Sequence, residues 1–90
     1  MSMDVQDYEK IFKALANRRR LEILLILREK KKVSVGVLAT KIKLSFKSTS
    51  KHLSVLFGAG IVEREQIVLT VNYSLSSRMS SFLKSIISRL

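Results

Sequence analysis

Ninety residues without cysteine or proline, and with no apolar run longer than Ile23 to Leu27, exclude a disulfide framework, thiolate chemistry, Cys-ligated metal and a membrane-spanning helix. Lys and Arg number 17 against 7 Asp and Glu, a formal charge of +10, which draws a chain to polyanions: nucleic acid, an anionic membrane surface or an acidic protein. Yet 47% of the residues are apolar and the mean hydropathy is +0.16, so part of the apolar surface is expected to be covered by a second copy.

No repeat, linker or low-complexity tract divides the chain, which is read as a single domain over 1–90. Its opening, MSMDVQDYEK, has acids where a signal peptide would carry basic and apolar regions, and the expected location is the cytoplasm, at the nucleoid.

Asp4 followed by Asp7 marks a helix start, and Val5, Tyr8, Ile11, Phe12 and Leu15 recur at helical spacing. Asn17 caps a second helix, apolar on nearly all sides from Leu21 to Leu27, as a central buried helix would be. Arg28 and Lys30, Lys31 and Lys32 fall at its carboxyl end, where the helix dipole favours cations. Val33 supplies a short sheet edge before Ser34 caps a third helix, Val35 to Ile42, whose Val35, Leu38, Ala39 and Ile42 face inward.

After a tight turn at Lys43 and Leu44, Ser45 caps a fourth helix reaching about Gly58, with Thr49, Leu53, Leu56 and Phe57 inward and Gly60 in the left-handed conformation beyond it. Residues 61–75 alternate as a hairpin wing, with Leu69, Val71, Tyr73 and Leu75 toward the body and Thr70, Asn72 and Ser74 outward. The tip is expected around Glu65 to Val68, without the Gly or Asn of a primed turn. Over 78–90, Met79, Phe82, Leu83, Ile86, Ile87 and Leu90 form the apolar face of a terminal helix, which needs a partner. The fold expected is mainly α: five helices with a small β-hairpin wing, a winged helix-turn-helix.

The fourth helix carries the candidate site. Ser and Thr are indifferent helix formers, yet Ser45, Ser48, Thr49, Ser50 and Ser54 stand there with Lys47 and Lys51. Small hydroxyls let a helix approach base edges, and the ammonium groups reach phosphates or guanine. In the wing, Arg64 with Gln66 and Thr70 is placed to anchor on DNA. Phe46, at the first turn, either packs into the turn or touches a thymine methyl, with packing favoured. His52 is the only histidine, and a lone histidine reads as packed or hydrogen-bonded, because a metal needs several convergent ligands. No carboxylate pair, Ser/His/Asp set or Gly-rich phosphate loop is present, so neither catalysis, metal nor cofactor is expected.

The order of elements, with FKALANRRRLEILLIL, SVGVLATKIKLS and STSKHLSVLFGAGIV, resembles the arsenical-resistance repressor (ArsR/SmtB) type of winged-helix transcription factor from about Tyr8 to Ser76. The resemblance implies a homodimer built from the first and last helices, through Tyr8, Phe12, Met79, Phe82, Leu83, Ile86, Ile87 and Leu90. It also implies that the fourth helix enters the major groove, and it places Ser45, Ser48, Ser50, Lys51 and His52 on the family's recognition pattern. Ser34, Val35, Gly36 and Val37 stand where metal-sensing members have Cys-x-Cys, and Phe46 and Lys47 replace a polar pair. Two acids, Glu63 and Glu65, flank the wing arginine.

The expected function is therefore sequence-specific DNA binding by a homodimeric repressor without metal sensing, and no motif names a small-molecule effector. The same charge also fits a non-specific architectural DNA-binding protein, or a winged-helix module that binds an acidic protein. A membrane role fits worse, since the polar face of the last helix is mainly serine.

Overall fold

In the computed structural model, which describes residues 3–90, the chain runs α1 (Val5–Leu15), α2 (Arg18–Lys30), β1 (Lys32–Ser34), α3 (Val35–Ile42), α4 (Phe46–Gly58), β2 (Val62–Ile67), β3 (Thr70–Leu75) and α5 (Ser81–Ser88). This is a winged helix-turn-helix with five helices and a three-stranded antiparallel sheet in the order β1-β3-β2.

Every helix begins on a side-chain cap, which satisfies amides that the helix itself leaves free. Asp4 and Asp7 form a reciprocal capping box on α1, and Asn17 accepts from the Arg20 amide at 3.1 Å. Ser34, Ser45 and Ser80 cap α3, α4 and α5. The turn between α3 and α4 is closed by Leu44 N–H donating to Ala39 O at 3.0 Å and Lys43 N–H to Thr40 O at 3.3 Å, the paired bonds of a Schellman motif. Lys43 occupies the left-handed position at φ 56°. The same pattern ends α4, where Ile61 N–H reaches Leu56 O and Gly60 N–H reaches Phe57 O, both at 3.0 Å. Gly60 has φ 74° there, at no steric cost. Both ends of α4 are thus fixed by local chemistry.

The core gathers on α2: Ile23, Leu24 and Leu27 are essentially inaccessible, and Leu38, Leu53, Leu56 and Ile61 meet them. Thr49, also fully buried, donates its hydroxyl to Ser45 O at 2.8 Å, so its polar atom is not orphaned. In the sheet, Val33 and Arg64 both lie opposite Tyr73, and Gln66 lies opposite Val71. Strand alternation therefore puts Arg64 and Gln66 on the helix-facing side with Val71 and Tyr73.

Several positions differ from the sequence expectation. Phe57 is not inward: it lies one residue beyond Leu56, about 100° further round the helix, and is 39% exposed beneath Arg64. Leu69 does not face the body, because it belongs to the turn. Ile67 pairs with Thr70, so the hairpin closes on Val68 and Leu69 rather than on residues 65–68, and both side chains project into solvent. Asn72 and Ser74 are half-buried, since β3 is the central strand. Leu83 and Ile87 are only 2% exposed in the single chain. Their i, i+4 spacing turns them into the chain's own core, which removes them from the expected dimer surface. Helix α5 itself starts after Ser80, so Met79 precedes it and Leu90 follows its carboxyl cap, Arg89.

Val68 has φ 57°, and it is β-branched at a turn position that normally takes Gly or Asn. Val68→Gly should raise the unfolding free energy by about 0.5–1 kcal/mol, strain relief exceeding the added unfolded-chain entropy. Chemical denaturation measures this, and an unchanged or lower midpoint contradicts a strained tip.

Candidate nucleic-acid interface

Helix α4 presents three stripes. Thr49, Leu53 and Leu56 are buried. Lys47, Ser50, Lys51, Ser54 and Val55 face outward and, with Phe46, line an open depression of about 680 Å³. Ser48 and His52, four residues apart, lie half-buried on the flank between.

A second groove, of about 440 Å³, runs between α4 and the sheet and is lined by Phe46, Ser50, Arg64 and Gln66 among others. The structure thus brings Lys47, Ser50, Lys51 and Ser54 together, and brings Arg64 and Gln66 to Ser50. Thr70 alternates away from Val71 along β3 and is exposed near the tip, apart from Arg64 and Gln66 but bordering a separate hollow with Phe46. Ser45 is exposed but already accepts the Ser48 amide as cap, at 3.1 Å.

The charges are sorted by position. All seven acids are engaged: Asp4 and Asp7 in the capping box, Glu9 with Lys13, Glu22 with Arg18 and Arg19, Glu29 with Arg28, Glu65 with Lys32, and Glu63 with the Ser77 amide. Lys47 and Lys51 pair with no carboxylate among the described residues. The backbone N–H of Ser77, then its side chain, holds the Glu63 carboxyl below its ordinary range. That acid ties the segment after the wing to β2. Arg64 stacks on the Phe57 ring with its guanidinium carbon 3.9 Å from the centroid, a geometry that attracts a cation to the ring face. The wing arginine is therefore held at the base of the hairpin beside α4, away from the apolar tip.

His52 faces inward to a cation. Arg20 lies with Nη1 3.2 Å from His52 Nδ1, and since a guanidinium only donates, Nδ1 accepts and the ring proton sits on Nε2. Burial first, then the charges of Arg20 and Arg19, push its pKa below the ordinary 6.5. Nδ1 is thus taken up by a hydrogen bond inside the chain, at a position that the family resemblance also places on the recognition pattern. Among the described residues no group of three or more His, Cys, Asp or Glu side chains gathers as a metal site.

Sequence reasoning missed two features of this face. Phe46 is 61% exposed and lies on the surface instead of packing into the turn. The acid-free stretch from Lys30 to Val62, which contains seven lysines, is the signal that would have marked the basic face directly.

Residues 17–64 match the model for the arsR family of bacterial regulatory proteins. The transcriptional activator HlyU of Vibrio cholerae is 36% identical over 95 aligned positions, covering 98% of this chain and 87% of HlyU. A solved HlyU structure superposes with a TM-score of 0.82 at 35% identity, covering 99% of this chain and 92% of that one. A homodimeric winged helix-turn-helix DNA-binding domain from Mycobacterium bovis gives 0.81 at 25% identity, over 94% and 75% of the two chains. The transcriptional repressor PagR of Bacillus anthracis gives 0.77 at 25% identity, over 94% and 93%. The fold is that of a winged-helix regulatory protein. This chain belongs to the ArsR family.

A histidine whose pKa is depressed by folding lends stability above its unfolded value, and that stability is lost as pH falls below it, because only the unfolded chain then takes up the proton. The thermal midpoint should therefore drop between pH 7 and pH 5, and His52→Gln, which keeps an acceptor for Arg20, should drop less. Equal slopes in the two proteins would remove His52 from the pH dependence.

Proposed function

We propose that this chain is a homodimeric, sequence-specific DNA-binding transcriptional regulator that acts as a repressor by occupying its operator. The observation that carries the reading is the outward face of α4: two unpaired lysines, Lys47 and Lys51, alternate with the small hydroxyls Ser50 and Ser54, with no acid on the helix. A helix of this length, about 20 Å, fits the major groove, about 12 Å wide. Ser50 and Ser54 permit close approach to base edges, and Lys47 and Lys51 take phosphates or guanine. Ser45 and Ser48, at the amino end, lie where backbone amides and hydroxyls meet phosphate. Arg64, Gln66 and Thr70 supply the flanking contacts, and His52 supports the helix from behind through Arg20. The relatives carry both signs of control, PagR being named a repressor and HlyU an activator. Occlusion of polymerase requires only DNA occupancy, which makes repression the simpler outcome.

The second copy covers an aromatic face. Tyr8, Phe12 and Phe82 pack on one another at centroid distances of 5.9 to 6.5 Å, yet are 40%, 50% and 40% exposed, and Val5 and Leu90 lie open at 85% and 40%. Met79 and Ile86 are half-buried. An aromatic cluster on the outside of a small domain fits an interface core. The Mycobacterium bovis neighbour is itself described as homodimeric.

Three experiments test this reading. Lys47→Ala with Lys51→Ala should weaken duplex binding and reduce the slope of log K against log salt by up to about two units; an unchanged slope would remove both from the phosphate contacts. Competition between a selected duplex and bulk DNA separates this regulator from an architectural protein. Phe12→Asp should convert a dimer to a monomer in light scattering with helical content retained. A mass that stays dimeric would place the interface elsewhere.

A further inference from the structure

Among the described residues, Phe46 is the one phenylalanine whose ring makes neither an aromatic nor a cation–π contact. Phe12 and Phe82 pack together with Tyr8, and Phe57 lies under Arg64. Phe46 instead is 61% exposed in the first turn of α4, flanked by Lys47 and close to Ser50. It lines the depression on the outer face of α4, the groove toward Arg64 and Gln66, and a further hollow toward Leu69 and Thr70. One space on the outer face of α4 and two between the helix and the sheet thus converge on one phenyl ring. The ring borders Val35, Val71 and Tyr73 on one side and Lys47 and Ser50 on the other, and most of it stays open to whatever covers this face.

We infer that Phe46 is a specificity residue that reads the 5-methyl group of a pyrimidine in the major groove; this rests on the DNA-binding reading of α4. The amino-terminal turn of a recognition helix is the part that meets base edges. Among the groups exposed in the major groove, the C5 methyl of thymine is the only apolar group larger than a C–H hydrogen, the polar ones being hydrogen-bond donors or acceptors. A phenyl ring pressed on cytosine N4 would desolvate a donor without replacing its partner, which penalises that base. 5-Methylcytosine carries its methyl at the same ring position as thymine, so methylation of a cytosine there restores part of the contact. The ring therefore selects for a methyl group, and Ser50 and Lys47 beside it are left to read hydrogen-bonding edges.

The test uses the full chain and a duplex selected from a random pool, with each thymine replaced in turn by deoxyuridine, which removes the methyl group alone. At one position per half-site the wild-type protein should lose about fourfold in affinity, the equivalent of one buried methyl group, and Phe46→Ala should lose nothing further on the same replacement. Cytosine to 5-methylcytosine at that position should strengthen wild-type binding but not that of the variant. Equal losses in both proteins at every thymine would overturn the assignment of Phe46 while leaving DNA binding intact. Failure of the pool to yield any preferred duplex would overturn the DNA-binding reading and this one with it. Because the ring is exposed, the variant keeps its fold, which circular dichroism verifies.

Discussion

Three arginines on one helix close the carboxyl ends of three others, and the arrangement of the molecule depends on them. Arg20 of α2 donates from Nε to Ala14 O at 2.6 Å and from Nη2 to Lys13 O at 3.1 Å, at the end of α1. Arg19 donates to Ile42 O at the end of α3. Arg28 reaches Ile87 O at 3.0 Å, with Ser88 O and Leu90 O close by, at the end of α5. Helix carboxyl ends expose unpaired carbonyls and partial negative charge, and a guanidinium answers both with a directed fork of donors. Such charge-assisted bonds are each worth about 1.5–3 kcal/mol when partly shielded. They also set direction, which the apolar core cannot. The buried leucines and isoleucines of α2 hold its neighbours close, and the arginines at its two ends fix where those neighbours stop.

This use of arginine explains why a chain of charge +10 has an ordered surface rather than a uniformly basic one. Arg19, Arg20 and Arg28 are spent on carbonyls, and the seven acids on caps, ion pairs and one backbone amide. The cations left without a structural partner include the lysines of α4. Exposed ion pairs such as Lys32–Glu65, 3.1 Å apart, add little stability. Their larger effect is to occupy Glu65, so that the hairpin does not set a free carboxylate beside Arg64. The acids at Glu63 and Glu65, which in the sequence look like a weakness of the wing, both have structural duties.

Much of the fold was legible in the chain because it is written in local signals. All five caps and the apolar spacing of α1, α3 and α4 are short-range, so Asp4, Asn17, Ser34 and Ser45 could be placed without knowing what the helices touch. What failed depends on neighbours. Phe57 is apolar and one position from Leu56, and only the location of Arg64 across the groove makes it a surface residue. Leu69 continues an alternating pattern that a two-residue turn interrupts, and the turn is occupied by Val68, a residue that gives no warning of positive φ. Leu83 and Ile87 share a stripe with Phe82 and Ile86, and periodicity cannot divide a broad apolar face between a helix's own core and a partner's surface. In the candidate site, Lys47, Ser50, Lys51 and Ser54 follow from helical spacing alone. His52 and Phe46 do not, since one is decided by Arg20, thirty-two residues away in sequence, and the other by an empty groove.

The contact between Arg20 and His52 also joins the two halves of the proposed function. One guanidinium holds the last carbonyls of α1, whose outer side carries Tyr8 and Phe12, and at the same time meets the flank of α4. A dimer through α1 and α5 would fix two α4 helices at a set separation only if α4 were rigid with respect to α1. The core alone permits small sliding of packed helices, because apolar contacts are non-directional. A fork that engages two carbonyls and an imidazole resists that sliding, since movement of either helix breaks bonds to a partly buried charge. In the proposed complex, half-sites about 10 base pairs apart or a multiple of that are read by helices whose spacing is set on the far side of the molecule. The tautomer of His52 is part of the same device: a ring protonated on both nitrogens could not accept from Arg20, and the contact that ties α2 to α4 would become a repulsion.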